Sequence, residues 1–167
     1  VFRELYRVLR SGGQLYCWIG SRYASMAIEL AEAAGFRYRA KLIAVKARPQ
    51  PSYTEGNFRS CYEEAIYCSK GRPWPFHFSG QQDMKNVLML PYEPKASEHP
   101  TEKRPAMLAP LIRASSNPGE LVLDPFLGSG TTAVVARQLG RAYLGIERNP
   151  RYLAMAERRL ASIGERA

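Results

Sequence analysis

Cysteine and histidine are scarce in this chain, with three Cys and two His among 167 residues. Cys17, Cys61 and Cys68 are odd in number and none falls in CxxC spacing. That pattern argues against a disulfide framework and for the reduced thiols of a cytoplasmic protein. A zinc site drawn from Cys61, Cys68, His77 and His99 lacks the spacing such sites use, so no metal is expected. Long apolar runs are missing too: nothing approaches the roughly eighteen residues of a membrane span. The opening Val1-Phe-Arg-Glu reads as amphipathic helix rather than signal peptide. Two phosphate-binding patterns are also lacking. GxxxxGK[ST] does not occur, and Gly128-Ser-Gly130 is followed by Thr-Thr-Ala rather than completing GxGxxG, which disfavours a triphosphate cradle and a nicotinamide dinucleotide fold alike. Acids are in deficit, 15 Asp and Glu against 24 Lys and Arg, for a net charge of +9. Such a surplus suits a polyanionic partner, an evenly solvated surface being the plain alternative. It crowds at Arg37, Arg39, Lys41, Lys46 and Arg48.

The most informative stretch is Leu121 to Thr132, LVLDPFLGSGTT, followed by YLGIERNP from Tyr143 to Pro150. Leu121 to Leu123 reads as a short buried strand, Gly128 and Gly130 permit a tight turn, and Thr131 to Leu139 reads as a helix ended by Gly140. Tyr143 to Ile146 is a second apolar strand, with Glu147 at its carboxyl end 23 positions after Asp124. This is the layout of a nucleoside-binding βαβ unit, in which an acid after the second strand accepts hydrogen bonds from ribose hydroxyls.

Upstream, Val1 to Arg10 reads as a helix with Val1, Leu5, Val8 and Leu9 on one face, stopped by Ser11-Gly12-Gly13. Gln14 to Gly20 reads as a strand, Ala24 to Ala34 as an alanine-rich helix, and Phe36 to Ala47 as a strand. Glu63 to Ser69 is a further strand, antiparallel to its predecessor because residues 48 to 62 offer a loop and no crossover helix. Gly71 to Glu98, with prolines 73, 75, 91 and 94 around Trp74, Phe76 and Phe78, should be irregular.

HPTEKRP from His99, NPGELVLDPFLGSGTT from Asn117 and YLGIERNPRY from Tyr143, in that order, resemble the cofactor-binding half of the β-arrangement DNA amino-methyltransferases, the N6-adenine and N4-cytosine family. The resemblance covers the last seventy or so residues. It implies an α/β, Rossmann-like S-adenosylmethionine-dependent methyltransferase fold with circularly permuted motif order, a mostly parallel sheet and an antiparallel edge hairpin. One domain over 1–167 is expected: catalytic-half strands and helices in 1–70, target recognition in 71–98, and the cofactor half in 99–167. By the same resemblance, Asp124, Pro125, Phe126, Gly128, Ser129 and Gly130 line the methionine end of S-adenosylmethionine. Glu147 takes the ribose, Arg148 and Asn149 lie near the adenine, and Thr101 and Lys103 hold the carboxylate. Arg104 departs from the family's Lys-Pro pair, Pro105 following one place later.

Double-stranded DNA is the implied partner, with a companion restriction endonuclease and a homodimer compatible with the pattern, and no membrane. Arg48, Arg59, Arg72, Trp74 and Lys85 are the candidate DNA contacts, and His77, Gln81 and Gln82 could also reach phosphates or base edges. Packing of Trp74, Phe76 and Phe78 as a loop on the sheet is the structural alternative. The family transfers its methyl group beside Asp, Asn or Ser followed by Pro-Pro and an aromatic residue, and no such tetrapeptide occurs here. No catalytic residue is therefore assigned; the motif is expected upstream of Val1, and the fold is expected to be incomplete at its N-terminus and inactive alone. The resulting expectation is a site-specific DNA methyltransferase acting on adenine N6. Cytosine N4, a non-catalytic cofactor- or nucleic-acid-binding remnant, and an unrelated nicotinamide-dependent oxidoreductase are the alternatives.

Overall fold

The computed structural model of the protein describes residues 1–49, 55–92 and 102–164. The chain divides into two compact units, Val1–Tyr92 and Glu93–Ala167. The first contains α1 (Phe2–Val8), β1 (Gln14–Ile19), a 3-10 turn at Ser21–Tyr23, α2 (Ala24–Ala33), β2 (Arg37–Lys46), β3 (Tyr62–Ser69) and β4 (Val87–Leu90). Its sheet has the order β1-β3-β2-β4. β3 runs antiparallel to both neighbours, while β4 is parallel to β2.

The reversed strand pairs antiparallel with its predecessor β2, as expected, and within that hairpin β3 is the member that lies against β1. Its composition explains the position. Residues 64 to 69 of β3 are all buried, and the continuous Ala65-Ile66-Tyr67-Cys68 run suits a strand covered on both faces. The edge beyond β2 is taken by β4, four residues of VLML inside the proline-rich segment expected to be irregular.

Ala27 and Ala31 of α2 lack bulk and pack with Phe36, Ile66 and Cys68 in the core of this unit. α1 adds Phe2, Leu5, Tyr6 and Leu9, the i, i+3, i+4, i+7 spacing of one helical face. Val1 and Val8, read from the sequence as part of that face, are exposed. Tyr6 meets Phe36 edge to face with ring centroids 5.1 Å apart. Lys70 Nζ donates to the carbonyls of Tyr6 and Leu9 at 2.7 and 2.8 Å, placing a cation where the end of α1 leaves acceptors unpaired.

The clustered cations on β2 mostly serve the sheet. Lys41 Nζ lies 2.9 Å from the buried Glu64 carboxylate and Lys46 Nζ 3.0 Å from Glu63. The hydrogen bond and charge of Glu64 hold the Lys41 ammonium above its ordinary range. Arg39 donates to Ser69 Oγ and to the Gly71 carbonyl, both at 2.8 Å. Much of the positive crowding is therefore a cross-strand pairing device and not a free basic face.

The second unit runs α3 (Pro105–Ser115), β5 (Leu121–Asp124), α4 (Thr131–Gln138), β6 (Ala142–Gly145) and α5 (Pro150–Gly164). β5 and β6 are parallel, in register from Leu121 opposite Ala142 to Asp124 opposite Gly145. β6 ends one residue before the expected Ile146. Sequence reading did not anticipate α5, although its signals are present. Asn149 Oδ1 accepts the Arg151 N–H at 3.0 Å as an N-cap, Pro150 takes the first helical position, and Met155 and Ala156 are buried. Arg141 fastens two helix ends by donating to the Ser116 carbonyl at 2.7 Å and hydroxyl at 3.1 Å after α3 and to the Leu139 carbonyl after α4. Among the described residues no helix is long and apolar enough to cross a membrane.

Ile66, fully buried at the centre of β3, is the sharpest test of the first core. Ile66→Ala is expected to lower the unfolding free energy by about 2 to 5 kcal/mol, read as a shifted urea midpoint. An effect below about 1 kcal/mol would contradict the packing described.

Candidate cofactor site

β5 and β6 end side by side, and the turn between β5 and α4 is fastened to the residues after β6. The Ile146 N–H donates to the Asp124 carbonyl and the Leu127 N–H to the Ile146 carbonyl, both at 2.9 Å. Glu147 Oε2 accepts the Gly128 N–H at 2.9 Å, and its other oxygen accepts the Asn149 N–H at 2.7 Å. Asp124 is equally engaged: Oδ1 accepts the Phe126 N–H at 3.0 Å and Oδ2 accepts the Thr132 hydroxyl at 2.6 Å. The two carboxylates thus hold the turn from opposite strands.

This arrangement differs from a phosphate nest. The amides of Phe126, Leu127, Gly128 and Gly130 all have intramolecular acceptors, so they do not form an open cradle of donors. Beside these carboxylates Phe126 presents an apolar side chain that is 70% exposed. Carboxylates beside an uncovered aromatic side chain suit the hydroxyls and base of a nucleoside.

The glycines have different tasks. Gly130 adopts φ +84°, and a Cβ there would stand 2.7 Å from the Ala156 Cβ. Its smallness therefore admits α5, not a ligand. Ser129 is buried and its hydroxyl lies 2.9 Å from Arg159 Nη1, so its side chain faces into the unit. Pro125 stands between Asp124 and Phe126 in the turn. Asn149 serves as helix cap and Arg148 is exposed. Lys103 and Arg104 are half-buried at the entry to α3, and Thr101, like His99, lies outside the described residues.

The five DNA candidates all fall in the first unit, but the sheet separates them. Arg48 follows β2 and stacks its guanidinium 4.7 Å over the Tyr92 ring, beyond β4. Arg59 donates to the Pro49 carbonyl. Both stand at the carboxyl ends of β2 and β4. β3 runs the opposite way, so Arg72 and Trp74 emerge at the amino ends of β1 and β2, where the Trp74 N–H donates to the Gly12 carbonyl at 2.9 Å. Lys85 is exposed midway, since neighbouring Asn86 pairs with Ile43 inside β2. The loop reading of Phe76 is met: its ring lies 6.2 Å from Tyr67, which stacks on Tyr16 at 4.8 Å. Burial pushes the Tyr67 phenol above its ordinary value and keeps it a donor to Gln14 Oε1 at 2.7 Å. Trp74 and Phe78 remain exposed.

Among the described residues no three His, Cys, Asp or Glu side chains converge on one point. Burial raises the Cys17 thiol and pushes Cys68 up to about 11, so neither supplies a thiolate nucleophile near neutral pH.

Residues 1–158 match the model of a DNA methylase family of the N6 and N4 type. The chain belongs to that family. It is 32% identical to the type II methyltransferase M.HinfI of Haemophilus influenzae over 96% of its own length and 50% of that protein. It is 34% identical to the putative methylase YubD of Escherichia coli K12, covering 96% of this chain and 67% of that one. The chain thus spans about half to two thirds of the length of these relatives. Among solved structures, the M1.HpyAVI–SAM complex superposes with a TM-score of 0.85 at 26% identity, over 95% of this chain and 79% of that one. The cytosine-N4-specific PvuII DNA methyltransferase shares the fold, with a TM-score of 0.80 at 18% identity over 94% of this chain and 67% of its own. The fold is accordingly the Rossmann-like one of DNA methyltransferases.

Within that family frame, two participants escaped sequence reading. Thr132 locks Asp124, and its signal was a hydroxyl at the second position of the helix that follows the glycines. Arg159 joins the turn to Glu102, whose carboxylate is 2.9 Å away; its signal was a cation on the apolar face of α5, in line with Tyr152, Met155 and Ala156.

Two glycines separate conformational strain from crowding. Gly140 has φ +73° with open space around it, so Gly140→Ala is expected to cost about 1 to 2 kcal/mol. Gly130→Ala should cost more, because α5 must also move. Equal losses on thermal unfolding would contradict the close approach of Ala156.

Proposed function

We propose that this chain binds S-adenosylmethionine through its second unit and serves the methylation of an exocyclic base amine in double-stranded DNA, adenine N6 in our reading. The observation that carries this is the pair of acids, Asp124 and Glu147, holding an aromatic-tipped turn at the carboxyl ends of two parallel strands, the end at which α/β sheets bind ligands. M1.HpyAVI, a relative in fold and sequence, was solved as a SAM complex, which supports the same cofactor here. In this reading Glu147 accepts the ribose hydroxyls, Phe126 covers one face of the bound nucleoside, and Lys103, with Thr101, takes the methionine carboxylate. Asp124 keeps the turn shaped around the sulfonium end, with Pro125, Gly128, Ser129 and Gly130 forming its backbone. Arg148 and Asn149 border the adenine.

When bound, the cofactor supplies a methyl group on a sulfonium, open to in-line displacement by a base amine. This chain contributes position. Arg48 and Arg59, at the carboxyl ends of β2 and β4, are the proposed phosphate contacts. Arg72 and Trp74 lie at the opposite sheet end and are not grouped with them; Lys85 is exposed along the sheet between. The two units are proposed to act as one methyltransferase domain. The type II designation of M.HinfI supports a companion restriction endonuclease as the cellular context.

Calorimetry is expected to show S-adenosylmethionine binding by the wild type and none by Asp124→Ala; near-normal affinity in the variant would remove the site assignment. The 167 residues contain no Asp, Asn or Ser followed by Pro-Pro and an aromatic residue, so no tritium transfer to DNA by this chain alone is expected. Transfer would overturn that part, and separation of the digested nucleosides would then distinguish N6-methyladenine from N4-methylcytosine. For DNA binding, Arg48→Ala and Arg59→Ala should each flatten the dependence of log K on log salt by about 0.9, with Arg72→Ala leaving the slope unchanged. The reverse pattern would place the interface at the other sheet end.

A further inference from the structure

One buried polar cluster in the second unit is centred on a cation, Arg159, that has no part in the binding scheme above. Arg159 of α5 extends its guanidinium so that Nη1 lies 2.8 Å from the Ser129 carbonyl, 2.9 Å from the Ser129 hydroxyl and 3.1 Å from the Thr131 hydroxyl. The same nitrogen lies 2.9 Å from Glu102 Oε1. The side chains of Arg159 and Glu102 are only 15% and 4% exposed, and Ser129 and Thr131 are buried. One cation therefore joins three pieces of chain: the segment leading into α3, the glycine turn, and the C-terminal helix.

The position of the acid gives the cluster its meaning. Glu102 directly precedes Lys103, and Ser129 directly follows Gly128, whose amide is held by Glu147. We propose that Arg159 is a positioning residue for the cofactor: by binding Glu102 and the Ser129 turn together, it sets the distance between the Lys103 end of α3 and the Phe126 turn. The inference rests on the reading that Lys103 takes the methionine carboxylate of S-adenosylmethionine. A guanidinium suits the task because its rigid planar head fixes Nη1 among these acceptors. Arg159→Lys would keep the charge but carry it on a flexible stem, loosening the hold on position while preserving the pair. Arg159 touches no reacting atom, and its effect is transmitted through the two segments it joins.

A cofactor fragment separates this from a merely structural ion pair. 5′-Methylthioadenosine keeps the nucleoside and sulfur and lacks the amino-acid carboxylate. Its affinity and that of S-adenosylmethionine are to be measured by calorimetry on the full chain for the wild type, Lys103→Ala, Arg159→Lys and the double variant Glu102→Met with Arg159→Met. The double variant removes both members of a buried pair at once, a replacement that folds more readily than loss of one charge. Lys103→Ala should weaken S-adenosylmethionine and spare the fragment. Arg159→Lys and the double variant should reproduce that split, with a loss of about tenfold for the whole cofactor, the size of one charge-assisted hydrogen bond, and less than about twofold for the fragment. Equal losses of both ligands, or no loss of either, would overturn the positioning role while Lys103→Ala still shows the split. A wild type that binds neither ligand would overturn the cofactor reading itself, and the proposal with it.

Discussion

The Glu147 carboxylate reaches back 19 positions to the Gly128 amide, and the shape of the second unit follows from that contact. Together with the Ile146 ladder to Asp124 and Leu127, it closes the β5–α4–β6 crossover at its functional end. A carboxylate accepting backbone N–H bonds is a strong, charge-assisted partner. Here both acids of the proposed site spend acceptor capacity on the protein itself. The turn is therefore shaped before anything binds, which lowers the ordering cost of binding.

In the first unit the controlling constraint is the reversal of β3. A strand inserted antiparallel between two parallel ones sends the chain that follows it to the amino ends of its neighbours. Residues close in sequence, such as Arg59 and Arg72, consequently emerge at opposite ends of one sheet. The cross-strand pairs Lys41–Glu64 and Lys46–Glu63 belong to the same insertion, because each links β2 to the reversed strand. A basic run that suggests a polyanion surface is in large part the neutralising complement of acids one strand away, and Arg48 beside Tyr92 remains at the carboxyl end.

Membership of the DNA methylase family and the geometry of the second unit point the same way without duplicating each other. Likeness of sequence and fold says what kind of protein this is. The hydrogen bonds say which atoms are committed: Ser129 and Asn149 were legible as site residues, yet their side chains serve Arg159 and the start of α5. Gly130, legible as a close-approach glycine, makes that approach to Ala156. In these cases a protein contact occupies the place where the motif letters suggested a ligand contact.

The elements themselves were largely written in local pattern. Apolar runs marked β1, β2, β3, β5 and β6, alanine content marked α2, and Gly140 marked the end of α4, because periodicity and backbone stereochemistry act over a few residues. Spacing of HPTEKRP, the glycine turn and Glu147 likewise pointed to the family. Only the tertiary structure decided that β3 lies between β1 and β2, that VLML joins the sheet as β4, that the basic run is paired, and that Arg159 binds Glu102 to the turn. Each of those depends on which distant segments become neighbours, and burial of both faces of a strand or desolvation of an ion pair leaves no trace in local spacing.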